Sequence, residues 1–339
     1  MNAVRTEPPT ASWDGIGVSV AQVVDRLAEQ RRPPDGGPPM TLAGVLNLLV
    51  HVPCADDLAP MQSVIEHLAD HQPSRAVLLV VSDEGEGIDA TVATSCRLSG
   101  GNVSVGVEVV VLWLHGARRA GDASAIVGLL RSDLPTLLWW PDAPDLSPAQ
   151  SLARLAPLAD RIVTESGRHR DAAEAIRRLA AWVPHAPGAV TDMAWAAITP
   201  WRQLIVQVAG ADAFSSVKPV HAVIAHSGSR PSAESLLLAG WLGDMACEVT
   251  MRALSGSTGT LRGIELTVPA DGRRIAIEHM PECEAATVRV RRPDSTLQRR
   301  TLALPHLDRA RLLAGELNLQ RRDHAFERAL PYAAEVASR

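Results

Sequence analysis

The sequence predicts an α/β protein in two parts: an N-terminal, mostly parallel α/β sandwich domain, then a second α+β domain with a largely antiparallel sheet. Two patterns and a composition carry this reading. Between residues 41 and 186, continuous apolar runs such as "TLAGVLNLLVHV" and "RAVLLVVS" alternate with segments of helical periodicity, as βαβ units do. From residue 187 onward, short segments of alternating polarity are separated by turn residues such as "PADG". With 339 residues, 46% of them hydrophobic, the chain can bury two moderate cores.

Each element follows from local chemistry. A helix opens at Ser19, because Val20, Val23, Val24 and Leu27 recur at helical spacing. It ends before "RRPPDGGPPM", so residues 1–40 form a helix and a Pro/Gly linker outside the first domain. Within 41–186 the reading runs strand 41–52, helix 56–70, strand 75–82, two strands over 90–98 and 103–114, and helix 122–130. The strand "LPTLLWW", helix 147–158, strand "DRIVTES" and helix 169–182 follow. The second domain, 187–339, opens with one helix over "DMAWAAITPWRQLIVQV", then a strand at 217–225 and a helix at 231–245. The strands "CEVTMRAL", "TLRGIELTV", "RRIAIEHM", "ATVRVRR" and "RTLAL" come next, and helices from Leu307 and Asp323 close the chain.

Composition excludes several functions. Lys+Arg of 33 against Asp+Glu of 38 gives a net charge of −5, and the basic residues are spread along the sequence, so no nucleic-acid partner is expected. No apolar stretch is long enough to span a bilayer, and the early prolines do not make a signal peptide, so the cytoplasm is the expected compartment. Lys218 is the only lysine and follows no glycine loop, which removes a Walker A site. Cys54, Cys96, Cys247 and Cys283 form no paired motif, so no metal site is expected and they read as buried free thiols.

The search for catalytic residues ends without a constellation. No GxGxxG follows a strand, so no cofactor is expected, and "SGSTG" joins two strands rather than a strand to a helix. His67 and His71 share a helical spacing but lack a third ligand. "HSGSRPSAES" puts hydroxyls and Arg230 before Pro231, a first helical residue, and reads as a helix cap or an anion site. Arg75 enters a strand, where its planar fork holds an anion or its stem snorkels. Trp139 and Trp140 end a parallel strand and point to opposite faces, next to Asp142 in the exit loop, where open α/β sheets bind ligands. At least one indole is expected in the core, leaving the other for a ligand or partner.

The segments "TLAGVLNLLVHV", "HQPSRAVLLV", "SDLPTLLWWPDAP", "ADRIVTES", "DMAWAAITPWRQL" and "LLLAGWL" occur in an order and spacing that resembles the OpcA family, the glucose-6-phosphate dehydrogenase assembly proteins. The resemblance implies a non-catalytic effector that binds glucose-6-phosphate dehydrogenase, promotes its active assembly and raises its affinity for glucose 6-phosphate. It makes Trp139, Trp140, Trp201 and Trp241, with Asp142, Arg75 and Arg202, the candidate partner-binding residues. The redox control associated with C-terminal cysteines in cyanobacterial members is not expected here, because no cysteine follows Cys283. Two other readings stay open at the level of sequence. One is a hydrolase or isomerase of sugar phosphates, working near Asp142 with Arg75 as phosphate clamp; the other is a small-molecule sensor.

Overall fold

The computed structural model describes residues 11–31, 44–68, 72–82, 85–99, 103–116, 126–142, 155–214, 219–256, 259–318 and 321–339. The expected linker beyond Arg31, His71, Lys218, the first part of the expected helix at 122–130 and most of that at 147–158 lie outside these residues.

The first sheet contains β1 (Ala11–Gly15), β2 (Leu46–Val52), β3 (Ser74–Ser82), β4 (Gly87–Ser99), β5 (Val103–His115), β6 (Thr136–Trp139), β7 (Arg161–Thr164) and β8 (Ala189–Asp192). Its order is β1-β4-β5-β3-β2-β6-β7-β8, with antiparallel pairing at β1/β4/β5 and parallel pairing from β5 to β8. The six parallel strands therefore lie in chain order third, second, first, fourth, fifth, sixth, the order of a doubly wound dinucleotide-binding sheet. The order reverses between β2 and β6, and it is outside the carboxyl ends at such a reversal that open α/β sheets bind ligands.

Helices cover both faces. α1 (Val20–Gln30) starts at Ser19, whose side chain accepts from the Gln22 N–H while Gln22 returns a bond to the Ser19 backbone, a capping box. Its Val23 and Leu27 bury against one face with Leu49, Val77 and Leu79, and α3 (Ala172–Trp182) adds Ile176 and Leu179. α2 (Ala55–Leu68) covers the other face with Met61, Ile65 and Leu68, packed on Leu48, Val50 and Leu78. Alternate residues of β2 and β3 thus point to opposite cores, so these strands read as continuous apolar runs.

The chain does not form one helix over residues 192–208. β8 ends at Asp192, whose side chain caps α4 (Met193–Ala197), and α5 (Thr199–Ala209) starts anew with Pro200 in its first turn. Proline is favoured at a helix start and lacks the N–H that an uninterrupted helix would use.

The second sheet has the order β10-β9-β11-β12-β13-β14. β9 (His221–Ser227) and β10 (Glu248–Leu254) are parallel, joined through α6 (Ala233–Asp244); β11 (Leu261–Val268), β12 (Arg273–Met280), β13 (Ala285–Arg291) and β14 (Leu297–Ala303) pair antiparallel. α6 is apolar on every side and is buried between this sheet and α8 (His324–Val336). A side chain at Gly240 would collide with the carbonyl oxygen of Ala329, so glycine sets how closely α6 and α8 approach. α7 (Arg309–Leu317) returns to the first sheet, where Leu313 and Leu317 join the core under α2.

Candidate functional site

The carboxyl ends of β2, β6, β7 and β8 bring together the chemistry-bearing residues of the first sheet. After β2 the chain turns through Pro53 and Cys54 directly into α2, whose first turn carries Asp56 and Asp57. Asp57 accepts from Arg168 Nη2 at 2.6 Å and from the Cys54 thiol at 3.3 Å. Burial alone would raise the Asp57 pKa, but Arg168 and Cys54 hold the carboxyl below its usual range. In a dinucleotide-binding sheet this turn is glycine-rich, and the bare N–H groups of the following helix cradle a pyrophosphate. Here no glycine occurs between Val52 and Asp57, and the first helical turn presents two carboxylates in place of an anion-binding surface. These residues do not fit a dinucleotide.

Trp139 and Trp140 stand at the end of β6 and point to opposite faces, as expected, but neither is exposed. Trp139 donates its Nε1–H to Glu165 Oε1 at 2.7 Å. Arg309, from α7, lies 4.7 Å above the Trp139 ring and grips both oxygens of Glu165 at 2.7–3.2 Å. Trp140 sits on the other face, edge-on to both His51 and Trp182 with ring centroids 6.3 Å away. The expectation that one indole stays free is corrected: each face of a doubly covered sheet has its own helix layer, and both layers use the indole. Burial pushes the neighbouring His51 down to about 4, against the pull of Asp142 and Asp57, and its Nδ1 has no hydrogen-bond partner.

Beside this pair, Asp192 forms a closed knot. It is fully buried and accepts from Thr164 Oγ1 at 2.7 Å, Ser166 Oγ at 2.7 Å, the Ser166 N–H at 2.8 Å and the Ala194 N–H at 2.9 Å. Burial pushes its carboxyl up to about 6, while these donors pull the other way. The knot ties the β7 exit loop to the start of α4.

The seven residues singled out from sequence do not converge. Trp139, Trp140 and the half-buried Asp142 share the strand ends. Arg75 lies at the opposite edge, entering β3, where it and Arg31 clamp the buried Glu108 at 2.7–2.9 Å. An arginine there cannot clamp a phosphate near Asp142, so that pairing is corrected. Burial alone would raise the Glu108 pKa, but the two guanidinium groups hold it below its usual range. Trp201 and Arg202 lie on α5: Trp201 is buried against His279, and Arg202 stacks 3.8 Å over the Trp195 ring. Burial lowers the Arg202 pKa despite Asp323 and Glu316 nearby. Trp241, on α6, is half-buried against the main core.

Sequence reasoning missed Asp57, Glu165, Arg168, Asp192 and Arg309. The signal for Asp57 was "CADD" directly after an apolar strand; Asp192 shows locally only its cap of the Ala194 N–H, and for Glu165, Arg168 and Arg309 no local pattern exists, because their partners are remote in sequence. The cysteines also differ from expectation: Cys54 and Cys283 are exposed, and Cys247 is half-buried. Among the described residues no group of side chains could hold a metal ion, and no helix is long and apolar enough to cross a membrane.

Comparison with known proteins adds the family. A Synechocystis sp. protein described as an OxPP cycle protein, OpcA, is 22% identical over 147 residues, which cover 42% of this chain and only 30% of that relative. Two solved structures resemble the chain at low sequence identity. One is KijD10, a 3-ketoreductase from Actinomadura kijaniata in complex with NADP, with a TM-score of 0.47 and 11% identity over 87% of this chain and 96% of that one. The other is a dehydrogenase from Chromobacterium violaceum, with a TM-score of 0.48 and 11% identity over 87% and 94%. Residues 65–181 match the glucose-6-phosphate dehydrogenase subunit N-terminal domain, and residues 188–330 match the C-terminal domain of the same subunit. With both halves matched, the chain belongs to the OpcA family of glucose-6-phosphate dehydrogenase subunits.

Proposed function

We propose that the chain is a non-catalytic effector that binds glucose-6-phosphate dehydrogenase, promotes its active assembly and raises its affinity for glucose 6-phosphate. The observation that carries this is the match of both halves to the two domains of a glucose-6-phosphate dehydrogenase subunit. The strand ends support it: the Asp57–Arg168 ion pair stands where a working doubly wound enzyme places a cofactor phosphate. Trp139 and Asp192 bond to the β7 exit loop and Trp140 packs in the core there, in roles that need no substrate.

An effector raises substrate affinity only by binding the substrate-competent form of the enzyme more tightly than the other form. A coupling of about 1–3 kcal/mol corresponds to roughly 5- to 150-fold in affinity, and it is reciprocal. The test is therefore two-armed. Glucose 6-phosphate affinity of the cognate dehydrogenase is measured with and without saturating effector, and effector affinity with and without glucose 6-phosphate. Both should tighten by the same factor. Binding with neither arm changed would leave an assembly role alone, and no binding would reject the proposal.

A further inference from the structure

The basic residues look dispersed in the sequence, yet the fold of the second sheet gathers several at one end. In β12 and β13, Arg274 stands directly opposite Arg291; in β13 and β14, Arg289 stands directly opposite Arg299. By strand alternation all four point to the same face, away from the side on which Ile275, Ile277 and Val288 enter the core. Arg274, Arg291 and Arg299 are exposed. Arg289 pairs with Glu278, whereas among the described residues no carboxylate pairs with Arg274, Arg291 or Arg299.

Like charges directly across a strand pair destabilise a sheet. Charged residues on an edge strand often serve to prevent strand-to-strand aggregation, and Arg299 and Arg300 on β14 would suffice for that. Arg274 and Arg291 belong to the inner strands β12 and β13, where edge protection gains nothing from them. Their uncompensated charge needs another account.

We propose that this arginine face of the β12–β14 meander is a docking surface for an acidic segment of a partner protein. Charge complementarity selects the occupant. A second copy related by a two-fold axis would bring the same arginines together and is disfavoured. Single-stranded nucleic acid is disfavoured because β12, β13 and β14 contain no Trp, Tyr or Phe on which bases could stack. A carboxylate-rich protein surface meets the planar guanidinium fork in its preferred bidentate geometry. β14, exposed along nearly all its length, leaves the flank of that face open. If the effector reading is right, the partner is the dehydrogenase, and the inference rests on that reading for the partner's identity alone.

The test is the double charge reversal Arg291→Glu/Arg299→Glu in the full chain, against the control Arg178→Glu/Arg339→Glu, which makes the same charge change on exposed residues elsewhere. Thermal denaturation checks that both variants fold. Affinity for the dehydrogenase and for poly-L-glutamate is measured from about 50 to 300 mM NaCl, a range over which exposed charges become screened. The expected result is a loss of about tenfold or more in the reversal variant at low salt, with a flattened salt dependence, and near-native affinity in the control. Equal weakening in both variants, or none in either, would overturn the proposal while leaving dehydrogenase binding itself intact. If the dehydrogenase does not bind at all, the effector reading fails and poly-L-glutamate alone decides the surface: selective loss in the reversal variant supports it, no difference overturns it. Tighter binding of single-stranded oligonucleotide than of poly-L-glutamate, lost in the reversal variant, would assign the face to nucleic acid instead.

Discussion

Arg161 and Glu316 form a buried ion pair at 2.6 Å between β7 and α7, 155 residues apart in sequence. Arg161 also donates to the Arg321 carbonyl at 2.7 Å, while its Nε has no partner. Together these contacts dock α7 and the segment after it onto the first sheet. Replacing a buried pair with apolar residues is often neutral, but removing one member strands the other's charge and costs about 3–5 kcal/mol. Glu316→Ala should therefore lower the unfolding free energy by that amount in urea, and Arg161→Met/Glu316→Leu should recover most of it. A loss below about 1 kcal/mol in the single variant would mean that the pair behaves like one at the surface.

The Trp140 ring is edge-on to both His51 and Trp182 and nearly inaccessible to solvent. Its replacement by alanine removes a large core side chain, for which about 3–5 kcal/mol is expected. Thermal denaturation of Trp140→Ala should show a large fall in Tm, and any weakened partner binding should follow from that fall. A fully stable variant that selectively lost the partner would return Trp140 to an interface role.

How much could be read from the sequence follows the range of the interactions. Ser19 and Gln22 form a local capping box, and the apolar runs of β2 and β3 announce buried parallel strands, so these were legible. The Trp139–Trp140 placement at a strand end was legible too, because it depends only on alternation. Arg75 was not, since Glu108, which Arg31 also grips, and the Leu129 carbonyl reach it from distant segments. The breaks at Asp192 and Pro200 were hidden because the apolar spacing across them mimics one helix. The doubly wound order escaped notice since its glycine signature is absent from the turn after β2. The arginine face was invisible because its members sit on three strands brought into register only by folding.

Two groups at the strand ends, buried Asp192 and half-buried His51, should oppose each other in acid. Asp192 titrates near 6, above an unfolded carboxylate at about 3.9, so the folded state binds the extra proton between those values. Its contribution falls as pH rises through that window, and deprotonation costs up to about 3 kcal/mol above it. His51, held near 4 against about 6.5 unfolded, acts in the reverse sense: stability is lost as pH falls from 6.5 toward 4. His51→Phe keeps the ring against Trp140 and removes the titration. Relative to the parent, it should gain stability at pH 4.5 compared with pH 7.5, read from urea midpoints. An unchanged pH profile would show that His51 is not protonated on unfolding in this range.

The turn after β2 gives a prediction about nucleotides. Asp57 is engaged by Arg168 at 2.6 Å, so the cation nearest to the helix start is already neutralised and the helix N-terminus carries its own carboxylates. A pyrophosphate entering there would meet like charge and would have to displace an internal ion pair. NADPH should therefore leave Tm unchanged: a site saturated a hundredfold over its Kd would add about 2.7 kcal/mol, which would appear as a shift of several degrees. Asp57→Ser removes the carboxylate, frees Arg168 and leaves a hydroxyl suited to the first turn. Inorganic pyrophosphate should then stabilise the variant and not the parent, with the effect fading as salt rises. A clear NADPH-dependent shift in the parent chain would mean that the strand ends still bind a dinucleotide in spite of Asp57, and the structural support for a non-catalytic role would be lost.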